Sequence, residues 1–481
     1  MKALVLALLV TVVLSTDSKG AEGSPAQKPT RLPPLSQRFH SRPDLIPPAV
    51  RVRTHAPGTT PGYIFIAPKL RVAQAGPMIV DDDGNVVWFK PLDTRGVTDF
   101  RVQRYHGQPV LTWWRGRAPP HARDGYYVIY DSSYRKIADV QAGNGLVGDI
   151  HEFRITPRDT AFITVYHRRP ADLSSVGGPK NGQIYDGIVQ EVDISTRRVL
   201  FEWHSFPQVG LKESYAKVPH TGAFDYFHIN SIDVEPNGNL LVSARNTHTV
   251  YEIDRTTRKI LWRLGGKRSD FKLGPGVRFA WQHDARRQPD GTITLFDNGA
   301  TPPVEQFSRI LVLRVDEKTR QATLVRSFHH PRRLLSPWEG NAQFLPNGHV
   351  FVGWGSNPDY TEFDANGHVL LDAAFGRQGG KPGTDADSYR AYRFDWTGHP
   401  VDRPRIAIKG AKLYVSWNGA TDVRRWDVLA GSDAQHLASI RRIAKNGFET
   451  AIPLASKALS VSVRALDHSG QMLGSSAVVR R

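Results

Sequence analysis

HINSIDVEPNGNLLVSARNTHTVYEIDRTTRKILWRL, residues 228–264, is one unit of a repeat. Its first half alternates apolar and polar residues on either side of Pro236-Asn237-Gly238, the signal of two antiparallel strands joined by a tight turn. Its second half runs apolar, acidic, apolar, then Asp254, a polar turn and an apolar stretch ending near an aromatic. That again reads as two strands, so the unit holds four.

The same pattern continues outward in both directions. Second halves recur as PMIVDDDGNVVWF (77–89), YYVIYDSSYRKIADV (126–140), IVQEVDISTRRVLFEW (188–203), ILVLRVDEKTRQATLVRSF (310–328) and YTEFDANGHVLLDAAF (360–375). First halves precede them as GYIFIAP, FRVQRYHGQPVLTWW, HEFRITPRDTAFITVYH, HDARRQPDGTITLFDNG and NAQFLPNGHVFVGWG. Six four-stranded units between about residues 60 and 376, at a spacing of roughly 40 to 80 residues, predict a six-bladed β-propeller. After a polar connection, short strands from Arg405 to Val479, with Leu413, Val415 and Trp417 on one face, predict a small fibronectin- or Ig-like β-sandwich. The expected organisation is 1–20 signal peptide, 21–50 Pro-rich tether, 51–376 propeller, 377–404 linker and 405–481 fibronectin type III-like sandwich. The fold class is all-β.

Composition narrows the function classes. The chain has 481 residues, 40% of them hydrophobic, with Gly 42 and Pro 33, which suits a large, turn-rich folded core. It has no cysteine, which excludes disulfides, thiol nucleophiles, iron–sulfur clusters and Cys-based zinc sites. The net charge is +17, but the basic residues are scattered as pairs such as Arg168-Arg169 and Arg286-Arg287 among acidic ones. A nucleic-acid binder gathers them on one face with interleaved aromatics, so no nucleic-acid partner is expected.

The start of the chain reads as an export signal. Lys2 is followed by a thirteen-residue apolar run, Ala3 to Ser15, and by small residues that place a cleavage point near Gly20–Ala21. A bilayer span needs about 20 residues, so a cleaved signal and a secreted or cell-envelope protein are expected, with an uncleaved anchor as the alternative. Nothing later is long and apolar enough to insert stably in a membrane.

Aligning the first-half turns on Pro157, Pro236, Pro289 and Pro346 places His151, Asn230, His283 and Gly340 six residues upstream in each case. His228 shares the side of Asn230. Nine residues downstream of the first three prolines lie Tyr166, Arg245 and Asn298. Polar residues in a central channel often do no more than hold water, but three His, an Asn and an Arg in one register suggest a site. Imidazoles and a guanidinium with no carboxylate clearly at the centre favour an anionic group such as sulfate or phosphate. Two alternatives stay open: a metal-dependent hydrolase or lyase using the histidines, and a non-catalytic ligand-binding propeller. The aromatics Tyr226, Phe227 and Trp281 are read first as packing residues.

At these residues the chain resembles the PAPS-independent arylsulfotransferase family, in particular its actinobacterial and fungal branch. The resemblance lies in FHSRPDLIPPAVRV (39–52), YFHINSIDVEPNGNLLVSARN (226–246), ILWRLGGKRSDF (260–271) and WQHDARRQPDGTITLFDNGA (281–300). It implies transfer of a sulfuryl group from a phenolic sulfate ester to an acceptor phenol through a sulfohistidine, with no cofactor and no metal. His283 matches the nucleophile. His228 and Arg245 match groups that hold sulfuryl oxygens, Asn230 the second position of the His-x-Asn element, and His151 an upstream active-site histidine. Asn298 and Tyr166 are the further expected substrate-binding residues. A histidine such as His228 is expected to protonate the departing phenolate. Enterobacterial members carry a disulfide and an N-terminal sandwich. This chain lacks cysteine and has its extra strands at the other end.

Overall fold

The repeated aspartate of each unit closes the turn behind it. Asp254 Oδ1 accepts from the backbone N–H groups of Thr256 (2.9 Å) and Thr257 (2.6 Å). Asp316 does so from Lys318 and Thr319 (2.9 and 3.1 Å), and Asp131 from Ser133 and Arg135 (both 2.9 Å). Such a side chain imitates a backbone turn, and the Thr196 N–H on Asp193 helps to bring that carboxyl down to about 2. In the alternate turns Gly238 and Gly348 hold φ of +87° and +85°. No atom crowds the place of a Gly238 side chain, so the demand for glycine there is torsional.

The computed structural model describes residues 35–117, 124–377, 379, 384–454 and 459–481. The signal peptide and residues 21–34 of the tether lie outside them. Four sheets follow the chain in order, each built of hairpins. The first runs Gly96–Tyr105, Gln108–Gly116, Tyr126–Tyr130, Lys136–Val140. The second runs Gly148–Ile155, Thr160–Ala171, Gly182–Asp193, Val199–His204. The third runs Ile229–Val234, Leu240–Ala244, Thr249–Ile253, Ile260–Gly265. The fourth runs His283–Arg287, Ile293–Asp297, Arg309–Asp316, Gln321–His329, with Lys272–Leu273 added in parallel. Two further sheets combine distant segments. Val50–His55 joins Val369–Phe375 at the edge of the sheet that begins with Asn341–Phe344. Ala391–Phe394, from the segment expected to be a linker, pairs with Tyr63–Ile66.

The expected fold class is corrected by this topology. Among the described residues the strands fall into eight open sheets, and none is closed into a barrel or propeller. A six-bladed propeller followed by a fibronectin- or Ig-like sandwich is therefore not the architecture assigned. The physical reason is that hairpin signals specify which neighbours in sequence pair, whereas association between sheets is set by side-chain packing. The six sheets between residues 50 and 394 pack through their first strands. Gly96–Tyr105 lies against Gly148–Ile155, that strand against Ile229–Val234, and the series goes on through His283–Arg287 and Asn341–Phe344 to Ala391–Phe394.

Apolar residues fill the space between sheets. Trp114, Trp203, Trp262 and Trp354 are fully buried at successive sheet contacts. The acidic position of the repeat ties sheets together: Glu191 pairs with Arg255 of the next sheet, and Glu362 with Arg393 at 2.7 Å. The last strands form a three-stranded sheet (Arg405–Lys409, Lys412–Ser416, Glu449–Pro453) and a five-stranded one built on Arg425–Gly431 and Ser460–Leu466. The two share a core around Trp426. The Asn418 side chain pins them to the rest, accepting from Phe89 N and donating to Phe89 O, both at 2.9 Å. Among the described residues no helix is long and apolar enough to cross a membrane.

Candidate functional site

Bulges in three successive sheets aim polar side chains at one place. The ladder of His283–Arg287 shifts register between His283 and Arg286, that of Ile229–Val234 between Ile229 and Ser231, and the partner of Gly148–Ile155 between Ile163 and Val165. A bulge turns a side chain out of the alternation of a strand. Four residues here other than glycine hold the left-handed conformation: His228 (φ +57°), Trp281 (+58°), Asp284 (+55°) and Glu339 (+66°). Each such residue costs on the order of 1–3 kcal/mol, so the surrounding packing enforces the arrangement.

The three histidines converge on a cavity of about 480 Å³ also lined by Lys69, Trp338, Glu339, Asp387 and Tyr389. The His151 and His228 rings meet edge to face at 5.0 Å, and the Tyr389 ring lies 5.6 Å from His151 and 6.4 Å from His283. Each imidazole is held from behind. Asp149 bonds His151 Nδ1, and Asp225 bonds His228 Nδ1 at 2.5 Å.

Asn298 holds His283. Its amide nitrogen donates to Ser336 O (2.8 Å) and Glu339 O (2.9 Å), which turns Oδ1 toward His283 Nδ1 at 2.7 Å. Trp281 O lies 3.2 Å from the same nitrogen. With acceptors on that side, the proton sits on Nδ1 and the lone pair on Nε2. Burial, reinforced by the charge of Arg245, holds His283 well below the usual histidine range. Burial also lowers His228, against the pull of Asp225.

The other expected site residues support the cavity from outside its lining. Arg245 lies over the Trp281 ring at 4.8 Å and donates to Asn246 Oδ1 (2.9 Å) and Pro337 O (3.3 Å). The Asn230 side chain donates to Gln282 O at 2.7 Å, bracing the residue before His283. Tyr166 stacks on His151 at 5.5 Å and donates to Ile229 O at 2.6 Å. Tyr226 and Phe227 are fully buried packing residues.

Beneath the histidines, Glu152 and Asp284 point the other way, into a layer of arginines. Glu152 meets Arg101 and Arg286 (both 2.6 Å) and Arg390 (3.3 Å), and Arg390 also meets Asp99 (2.9 Å). Burial alone raises the Glu152 carboxyl, but the three guanidiniums hold it well below the usual range. A second ionic cluster, His330 with Asp359 and Asp372, brings its ligand atoms within 4.8 Å of one another. Arg53 bonds both carboxylates at 2.6 Å and Arg332 bonds Asp359, so guanidinium charge already occupies the place of a cation. None of these residues lines the cavity.

Sequence reasoning missed Lys69, Trp338, Glu339, Asp387 and Tyr389. Glu339 adjoins Gly340, which the proline alignment placed at the same level as His283. Asp387 and Tyr389 lie in the segment expected to be a linker, where no repeat marks them.

Residues 101–376 match the family model described as arylsulfotransferase (ASST). No curated protein matches. Among solved structures, a protein of unknown function from Bacteroides caccae is 13% identical, with 65% of this chain and 93% of that one covered and a TM-score of 0.40. Quinohemoprotein alcohol dehydrogenase from Comamonas testosteroni is 13% identical, covering 80% and 72%, at a TM-score of 0.36. Virginiamycin B lyase from Staphylococcus aureus is 8% identical, covering 76% and 94%, at 0.35.

Proposed function

Because the chain belongs to the arylsulfotransferase (ASST) family, we propose that it moves a sulfuryl group from a phenolic sulfate ester to an acceptor phenol through a sulfohistidine on His283. The observation that carries this reading is the Asn298–His283 pair, which leaves an unprotonated Nε2 on a buried, neutral imidazole lining a cavity. Neutral imidazole is a nucleophile at ordinary pH. Sulfuryl transfer, like phosphoryl transfer, passes through a loose transition state, so positioning and stabilisation of the oxygens dominate.

His151 and His228, braced by Asp149 and Asp225, wall the place of the sulfuryl group. Arg245 acts on them through its charge, held in place by Trp281. Asn230 and Tyr166 act as positioning residues for the strands that carry His283 and His228. Trp338, Leu70 and Tyr389 supply the apolar and aromatic wall against which an aryl ring packs. Donor phenol leaves before acceptor enters, so the kinetics are ping-pong. The N-terminal pattern supports action outside the cytoplasm, in the cell envelope or secreted.

The test is an aryl sulfate whose phenolate is coloured, mixed with the full chain with and without an acceptor phenol, beside His283→Ala. Acceptor-dependent colour release that the substitution abolishes supports the reading. Equal release without acceptor, or undiminished release by the variant, overturns it.

A further inference from the structure

We propose that Glu339 is the proton-carrying catalytic residue of this sulfuryl transfer, donating to the departing phenolate and accepting from the incoming phenol. This deepens the reading of the same cavity and rests on it.

Position comes first. Glu339 lines the cavity with the three histidines, and its backbone N–H donates to His283 Nε2, the reacting atom, at 3.3 Å. Its left-handed backbone, φ +66°, fixes it there. Of its carboxyl oxygens, Oε1 takes Lys69 Nζ at 2.7 Å, while the buried Oε2 has no hydrogen-bond partner among the described residues.

The charge count then places a proton. Lys69 is shared, its Nζ lying 2.7 Å from Asp387 as well. Two carboxylates on one ammonium leave a net negative charge at that group, on a cavity whose lining also carries Arg95 and Arg117. A single bound proton removes it. Asp387 also accepts from Leu70 N at 3.2 Å, whereas Glu339 Oε2 has no partner among the described residues, so Glu339 is the carboxyl with an oxygen free to carry the proton. Burial pushes the Glu339 carboxyl up to about 7, with Asp387 adding to the rise and Lys69 and His151 opposing it. His228, His283, Tyr389, Arg95 and Arg117 are the other titratable or charged groups that line the cavity with it.

His228 fills this role less well. His228 has its Nδ1 on Asp225, and burial lowers its hold on a second proton. Its free nitrogen is therefore a lone pair near neutral pH, and a lone pair cannot protonate a leaving group.

The atoms balance in both halves. His283 Nε2 forms a bond to sulfur as the sulfur–aryl oxygen bond breaks. The departing oxygen keeps the electron pair and takes the Glu339 proton, leaving as a phenol and a carboxylate beside Lys69. The acceptor phenol then passes its O–H proton to that carboxylate as its oxygen attacks sulfur. The nitrogen–sulfur bond breaks and the electron pair returns to Nε2.

The experiment compares two donors. The nitrophenolate of para-nitrophenyl sulfate leaves readily unprotonated, whereas that of phenyl sulfate, from a phenol near the ordinary pKa of about 10, needs its proton. A positioned acid contributes about 10²–10⁴-fold. Glu339→Gln is expected to lower kcat/KM for phenyl sulfate at least about a hundredfold, and for para-nitrophenyl sulfate about tenfold or less. Wild-type protein alone gives a second readout that does not depend on how the variant folds: phenyl sulfate turnover falls as pH rises through about 7, while para-nitrophenyl sulfate turnover does not. Equal losses on both donors, or parallel pH profiles, overturn the role of Glu339 and leave the sulfohistidine reading intact. Absence of sulfuryl transfer by the wild type with either donor overturns both.

Discussion

At the scale of single residues, chemistry is placed by the second atom of each side chain. Asn298 donates to two carbonyls and so presents an oxygen to His283; an alanine there removes the partner that fixes the tautomer. Asn298→Ala is expected to lower kcat about 10–100-fold, by analogy with the partners that orient metal-bound histidines, with KM little changed. Steady-state kinetics check this, with the thermal midpoint as the control for folding. The same burial sets a pH limit. His283 and His228 both bind protons less readily than free histidine, so the active, unprotonated forms persist as pH falls past the ordinary value of about 6.5. The acid limb of kcat/KM for para-nitrophenyl sulfate is therefore expected below 6.5, and a limb at or above that value contradicts the burial argument. His151, His228, His283 and Asn298 were legible because turn prolines put them in register. Glu339 was not, since its role depends on Lys69, 270 positions away in sequence.

At the scale of elements, local signals and remote pairing part company. The turn aspartates, Asn-Gly turns and apolar acidic apolar runs announce the hairpins, because each hairpin is closed by hydrogen bonds within a few residues. Ala391–Phe394 escapes such reading: four residues in a polar connection, paired to a strand more than three hundred positions earlier. The pairing has a consequence for where the chain can be cut. The family match ends at residue 376, but the partner of Tyr63–Ile66, the buried Arg390 and the cavity residues Asp387 and Tyr389 all come later. Without Arg390, three buried carboxylates lose a counter-charge, and removal of one partner of a buried pair costs roughly 3–5 kcal/mol. A chain ending at 376 is therefore expected to lose cooperative thermal unfolding, which circular dichroism would register. A sharp transition like that of the full chain contradicts this.

At the scale of the whole molecule, sheets associate through the shapes of buried tryptophans and through ion pairs such as Glu362–Arg393. The acidic and aromatic positions recur with the repeat, but the remote residue that each one meets, as Arg393 meets Glu362, is not written in that period. That is why strand content and hairpins were readable while the arrangement of eight open sheets was not. The same packing brings residues 69 to 389 around one cavity, lined by three histidines and with arginine-paired carboxylates beneath. The most direct measurement of the central claim is the mass of the His283 peptide after the full chain is mixed with para-nitrophenyl sulfate and no acceptor, then quenched in alkali. The account predicts one added sulfuryl group on that peptide, removed on addition of a phenol and absent in His283→Ala. Acceptor-dependent transfer without any adduct, or an adduct that persists in His283→Ala, contradicts it.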